Sequence, residues 1–336
     1  MNKAIRDLLL SVFEYSGVNK LSKFFCRNRI LILWYHGVCD DGFDLLKGYD
    51  ERHIPLSLFR QQLAYFKKNK YTFISLSDIP EIMSKRKKVR NPVVLTFDDG
   101  FKNVITKAYP VILEFGAKGC IYLVTDLVGT ENLLWTDYIE TIIRNYTKKE
   151  LIFIYKGNKF NYEIGTKEQS EFAMLDIKAR LRKLTDIERK KHLKQFEDIE
   201  LGEKPTEFLM ADWGDLREID PKVLEIGCHT RRHPNCDALF SDAEMEDEIN
   251  NSKEKIERML KLEVKHFCYP AGAYNENVVK YVEKCGYTTA TTVENGLNGH
   301  KDNLFKLKRV FVDEDYVLFK AHVSGFYFFI KRIFRK

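Results

Sequence analysis

Long apolar runs are missing from this chain of 336 residues. None approaches the ~20 consecutive apolar residues that a membrane-spanning helix needs, which argues against a spanning membrane protein. Proline is scarce, at eight residues, and glycine is modest, at 18, so collagen-like and low-complexity chains are excluded. No internal repeat is visible, which sets solenoids and propellers aside. No CxxC pair occurs among the seven cysteines at 26, 39, 120, 228, 236, 268 and 285, so neither a thiolate zinc site nor a disulfide framework is signalled. Cys120 and Cys285 sit in apolar runs, where a free cysteine behaves as a small hydrophobe, and a reducing compartment is expected. A strong charge of one sign is absent too. The net charge of +6 favours acidic or phosphate-bearing partners only mildly, and no nucleic-acid module appears, so no nucleic-acid partner is expected. Lys3 and Arg6 before the apolar residues 8–13 resemble a signal peptide. Glu14 interrupts the stretch and no small-residue cleavage site follows. Residues 1–28 are therefore read as amphipathic helices of a cytoplasmic protein.

What is present is a large globular composition, 44% hydrophobic and 31% charged, with a strand–helix rhythm. Residues 29–35 and 92–97 are branched and aromatic runs suited to buried strands. Residues 57–69 have helical spacing behind a serine cap at Ser57. A helix over 103–115 and a strand over 119–124 complete a βαβ unit. The basic run 85–90 reads as a solvated connecting loop. From about 133 to 205 the texture changes to a small hairpin around Gly157-Asn158 and a long charged, helix-forming stretch, read as an insertion. The rhythm resumes with strands over 224–228, 264–269, 288–293 and 306–312, and a helix from Ser241 with Glu244 as its capping box. Repeated βα units of this kind imply a parallel sheet, most economically a (β/α) barrel over residues 29–325.

Reactive residues of such barrels gather where strands end. Three ends carry unusual chemistry. Asp98 and Asp99 in Thr96-Phe97-Asp98-Asp99-Gly100 repel one another unless a cation or a shared proton relieves them. His229 and His233 in His229-Thr230-Arg231-Arg232-His233 would face one way on a helical turn, a spacing suited to one metal ion. Cys268-Tyr269-Pro270-Ala271-Gly272 runs from a strand into a turn. Each has a bland alternative as a turn, a surface pair or a loop; their joint occurrence at strand ends favours a site.

In that order these segments resemble the polysaccharide deacetylase family, the NodB-homology carbohydrate esterases, over most of the chain. Trp34-Tyr35-His36, Trp213 with Leu216 and Arg217, Asn295-Gly296 and Lys308-Arg309-Val310 are similar to further family stretches. The resemblance implies a distorted (β/α)7 barrel that removes acetyl groups from N-acetylhexosamines. It makes Asp98 the general base and Asp99, His229 and His233 the ligands of a divalent metal ion, with Zn2+ the first choice for a His2Asp set. That ion would polarise the acetyl carbonyl and acidify a bound water. Backbone N–H from the Pro270-Ala271-Gly272 turn would hold the oxyanion, and His36 would line the pocket.

Two departures stand out. Where the family places an arginine that orients the base, this chain has Cys268, and Arg309 on the last strand is the candidate substitute. The late histidine that serves many members as general acid has no firm match; His322 and His300 are the candidates. The tail 326–336 is aromatic and basic, suited either to an anionic membrane surface or to packing on the N-terminal helices. The expected substrate is an acetylated glycan or glycolipid of surface polysaccharide synthesis, met in the cytoplasm or at the inner membrane surface. A metal amidohydrolase of a small non-sugar amide and a catalytically silent glycan-binding relative are the alternatives.

Overall fold

The computed structural model describes residues 23–24, 26–42, 53–202, 204–238, 241–312 and 315–326. The helices expected within residues 1–28 therefore fall almost wholly outside the described residues, as does the tail beyond Phe326. Seven strands form the barrel: β1 (Leu31–Tyr35), β2 (Pro92–Phe97), β3 (Gly119–Leu123), β4 (Leu224–Cys228), β5 (His266–Cys268), β6 (Thr289–Asn295) and β7 (Leu307–Phe311). Every pairing between them is parallel, each strand lies beside its sequence neighbours, and β1 pairs with both β2 and β7 to close the ring. The distortion is local. β4 and β5 share a single Cα pair, Phe267 with Cys228, and the β6–β7 register shifts between Thr291 and Asn295. Outside the ring, the two-residue strand Thr72–Phe73 pairs with the start of β2.

Alternation along the strands sorts the core. Leu31, Leu33 and Tyr35 of β1, with Val93, Leu95 and Phe97 of β2, join the large cluster that packs the helices. The residues between them, Ile32 and Val94, join Cys120, Tyr122, Cys268 and Leu307 in a separate cluster. A period of two puts that second set on the opposite face of the strands, the barrel interior. All seven cysteines are unpaired, and most are buried, as small hydrophobes are.

The segment from 133 to 205 has its own core. Helix Trp135–Asn145, the antiparallel hairpin Glu150–Tyr155 with Asn158–Glu163, and helices Lys167–Leu181 and Asp186–Leu193 surround Ile142, Phe153, Met174, Ile177 and Phe196. The long helical stretch is two helices because Thr185 caps the second, its hydroxyl accepting from Glu188 N–H. Elsewhere the expected serine cap of Leu56–Lys68 is not formed; Asp41 accepts from Ser57 N–H at 3.0 Å instead. The Ser241–Glu244 capping box is present. The helix it opens widens into a π turn at Glu246–Asn250 before continuing as Asn251–Leu260. No described helix is long and apolar enough to cross a membrane.

Candidate active site

β2 ends in Asp98-Asp99-Gly100, where Asp99 takes a left-handed backbone (φ 73°) and Gly100 another (φ 91°). The sharp turn sends the two carboxylates to different tasks. Asp99 Oδ1 lies 3.6 Å from His229 Nε2 and 3.5 Å from His233 Nε2. Those separations match the ~3.4 Å between ligand atoms that bonds of about 2.1 Å produce around a tetrahedral ion. His229 follows β4, and its Nδ1 is 2.8 Å from the Cys268 carbonyl. That bond fixes the tautomer with Nε2 as the free donor atom, an arrangement typical of ligating histidines. Burial pushes the His229 imidazole below its ordinary pKa despite the nearby Asp98 charge. Burial, then the His229 charge, pushes His233 further down. Both rings are thus held neutral, the ligand form. The donor set fits a divalent ion.

His229 and His233 do not meet on a helical turn, as their spacing suggested. Thr230 (φ 67°) and His233 (φ 61°) are both left-handed, and this irregular loop brings the rings to 4.9 Å between centroids. The loop is held from the π turn. Glu248 Oε2 accepts from Arg231 N–H at 3.0 Å and Arg232 N–H at 2.9 Å, and Glu248 Oε1 from Arg232 Nε at 2.6 Å. Asp247 accepts from both guanidinium groups. The insertion touches the loop as well, where Asn235 Nδ2 donates to Arg182 O at 3.0 Å. Sequence reasoning missed Asp247 and Glu248; the capping box just before them was the available signal.

Asp98 is buried and faces Arg309 of β7. Nη1 donates to Asp98 Oδ1 at 2.7 Å and Nη2 to Oδ2 at 2.8 Å, a bidentate pair. Arg309 is 1% exposed. Its Nε donates to Thr292 O at 2.8 Å and its Nη1 also to Thr96 Oγ1 at 3.2 Å, and Trp34 lies 5.0 Å from its guanidinium carbon. Burial alone would raise the Asp98 carboxyl. The charge and hydrogen bonds of Arg309, with smaller help from His229 and His36, hold it well below the usual carboxylate range. Cys268, whose thiol is pushed well up by burial, donates to Asp98 Oδ1 at 3.6 Å; with Asp98 and His229 it forms a second group of possible donors, one in which Asp98 is already engaged by Arg309. Asp98 is therefore an oriented carboxylate beside the three donor atoms and separate from them.

The remaining candidates divide. His36, at the end of β1, packs its ring 5.3 Å from Trp34, and its charge acts on both Asp98 and His233. In the turn Pro270–Gly272, Pro270 has no N–H, and Gly272 N–H is bonded to Tyr269 O at 2.8 Å. Ala271, in left-handed geometry (φ 51°, ψ 15°), is the residue of the three left to offer a donor. His322 does not reach the cluster. It sits near the end of helix Tyr316–Val323, beside Val323, whose carbonyl accepts from Tyr71, and close to Gly325, which abuts Cys26. These neighbours mark the opposite end of the barrel, where strands begin. His300 lines a groove at that same end, with Arg29 and Arg90.

The closed parallel barrel gathers this cluster at the C-terminal ends of its strands, where the reactive residues of such barrels collect. The chain belongs to the polysaccharide deacetylase family, whose sequence pattern matches residues 85–290. The Bacillus subtilis protein YxkH is 20% identical over 283 residues, 84% of this chain and 71% of that one. A poly-beta-1,6-N-acetyl-D-glucosamine N-deacetylase of Staphylococcus aureus is 26% identical over 121 residues, 36% of this chain and 38% of that one. Two solved structures share the fold. The Streptococcus pyogenes deacetylase PplD, in complex with acetate, superposes with a TM-score of 0.59 at 16% identity over 88% of this chain and 98% of that one. IcaB from Ammonifex degensii gives 0.58 at 16% identity over 88% and 97%. The distorted (β/α)7 barrel and the carbohydrate deacetylase class are thereby established.

Proposed function

We propose that the protein hydrolyses N-acetyl groups on hexosamines of a surface saccharide, using a divalent ion held by Asp99, His229 and His233 and Asp98 as general base. The observation that carries this reading is the Asp98–Arg309 pair set beside a separate three-donor cluster. A bound ion, with zinc the first choice for two imidazoles and a carboxylate, would polarise the acetyl carbonyl and acidify water. The protein does the rest. Arg309 keeps Asp98 ionised and both its oxygens directed, so that one can take the proton of the attacking water. Ala271 N–H is the donor assigned to the developing oxyanion. His36 follows Tyr35, whose carbonyl accepts from Asp98 N–H at 3.0 Å, and as the further imidazole at this end of the barrel it is assigned the proton delivered to the leaving amine. The N-acetyl preference is supported by the Staphylococcus aureus relative, whose name states a poly-N-acetylglucosamine substrate. Seven unpaired cysteines support a reducing compartment. The silent-relative alternative rests on two features, the lost arginine and the unplaced general acid, and the first is answered by the guanidinium that Arg309 brings to Asp98.

The test is acetate release from N-acetylglucosamine oligomers by the purified chain, before and after chelation and with zinc, cobalt or manganese restored. Asp98→Asn is expected to keep bound metal and lose ~10²–10⁴-fold in kcat. Full turnover after chelation, or by Asp98→Asn, would remove the assignment. Turnover of small non-sugar amides without any acetylated sugar would favour the amidohydrolase reading instead.

A further inference from the structure

The catalytic cluster occupies one end of the barrel; the other end carries a concentration of positive charge that the reaction does not use. A groove of about 730 Å3 there is lined by Arg27, Arg29, Lys85, Lys87, Lys88 and Arg90, with no acidic residue in its wall. The basic run that reads in sequence as a solvated loop is thus brought against the entry to β1. His300, from the loop before β7, closes the groove. Two of the cations have partners, Arg29 with Asp302 at 3.4 Å and Lys87 with Asp78 at 2.5 Å. Arg27, Lys85, Lys88 and Arg90 meet no carboxylate within 4.0 Å among the described residues, and all four are exposed. Exposed cations gathered along one groove without carboxylates favour an anionic partner.

The partner's chemistry is indicated by the chain around the groove. Gly325 lies on Cys26, so close that a Cβ there would stand 2.5 Å from Cys26 Sγ. Gly325 and Cys26 therefore lie next to Arg27 of the groove wall, and residues 327–336 follow shortly after in the sequence. Residues 327–336 hold Lys331, Arg332, Arg335 and Lys336 among Tyr327, Phe328, Phe329, Ile330, Ile333 and Phe334, with no acid. Cations mixed with aromatic and aliphatic side chains match the headgroup–acyl boundary of a bilayer; a nucleic acid would satisfy the cations and leave the aliphatic residues without a partner.

We propose that this end of the barrel docks on an anionic phospholipid surface, with the catalytic mouth turned away from it. The inference is independent of how the catalytic cluster is read. β1 spans five residues, so at ~3.3 Å per residue the mouth stands at least ~15 Å from the docking end. Sugars presented to it would have to extend outward from the membrane.

The experiment is co-sedimentation of the full chain with phosphatidylcholine vesicles containing about one third phosphatidylglycerol, at about 0.15 M and about 0.5 M salt. Pure phosphatidylcholine vesicles are the comparison. The wild type is expected to bind the anionic vesicles, to release them at high salt and to ignore neutral ones. Each groove cation is expected to contribute about fivefold to binding. The triple variant Lys85→Glu, Lys88→Glu, Arg90→Glu should therefore lose at least ~100-fold while its melting temperature holds. Should it fail to fold, Lys85→Gln with Lys88→Gln should still lose ~25-fold. No binding to anionic vesicles overturns the proposal, as does equal binding to neutral ones. It also fails if the groove variants bind like the wild type, or if RNA displaces the vesicles and binds more tightly than they do.

Discussion

Replacing Arg309 with methionine would leave a buried carboxylate without its counter-ion. Asp98 is 3% exposed, and four donations from one guanidinium would vanish together: two to its carboxylate and one each to Thr96 and Thr292. Removing one partner of a buried ion pair costs about 3–5 kcal/mol, because the remaining charge stays desolvated. Unfolding entropy of ~2.1 cal/mol/K per residue over this chain gives ~0.7 kcal/mol/K, so the melting temperature should fall by ~4–7 °C. Catalysis should fall further than stability suggests. With the base no longer directed, kcat should drop by ~10²–10⁴ with KM little changed, and Arg309→Lys should recover only part, since an ammonium cannot make the bidentate pair. The decisive comparison is calorimetry on the cycle formed by Arg309→Met, Asp98→Asn and the double variant. Neutral asparagine removes the orphaned charge, so the double variant should be more stable than Arg309→Met alone. A melting temperature within about 1 °C of the wild type for Arg309→Met, or strict additivity in the cycle, would refute the reasoning.

Other outcomes follow from the same structure. Glu248→Gln should weaken the hold on the His229–His233 loop and lower metal affinity by ~10–100-fold, read by competition with a chromophoric chelator; unchanged affinity would show that the loop is rigid without it. At Gly272 a Cβ would lie 2.3 Å from Val293 Cγ2 on a left-handed backbone, so Gly272→Ala should cost ~1–3 kcal/mol and lower kcat; wild-type turnover would detach the turn from catalysis. Glu225 is partly buried, which alone would raise its pKa, but hydrogen bonds from His266, Ser77 and Leu76 N–H bring it below its ordinary value. A lowered carboxyl stabilises above its unfolded pKa of ~4.3 and stops doing so as pH falls through the folded value. Glu225→Gln should therefore melt earlier than the wild type at neutral pH, with the gap closing below about pH 4. A gap equal at both ends would deny Glu225 that role.

Legibility in the sequence followed locality. β2 declared itself because six buried residues in a row, Pro92–Phe97, end abruptly in two carboxylates. The hairpin Glu150–Tyr155/Asn158–Glu163 did so through Gly157 between two short strands, although its turn is Lys156-Gly157 and not Gly157-Asn158, because Asn158 already pairs with Tyr155. The His229–His233 spacing pointed to convergence but not to its cause, since the loop's shape is imposed by Glu248 from a helix packed beside it. Arg309 was the hardest to read. In Leu307–Phe311 it looks like one surface cation among Lys306 and Lys308, although the period of two already placed it on the face of Leu307, which is buried. His322 shows the reverse: it is a late histidine, which is all that made it a candidate, and its helix packs at the far end of the barrel.

The pairing of Asp98 with Arg309 spans the seam where the ring closes, because β1 lies between the strands that carry them. The residues proposed to hold an ion, Asp99 and the two histidines, and the acidic residues that hold their loop all lie before residue 250, and the Cys268 carbonyl that orients His229 follows with β5. The guanidinium that directs the base arrives with the final strand. A chain emerging from the ribosome, or one nicked before β7, would have the ion's ligands in hand while its base lacked direction. Hydrolysis would begin only when the last strand docks, so that turnover itself reports that the barrel has finished folding.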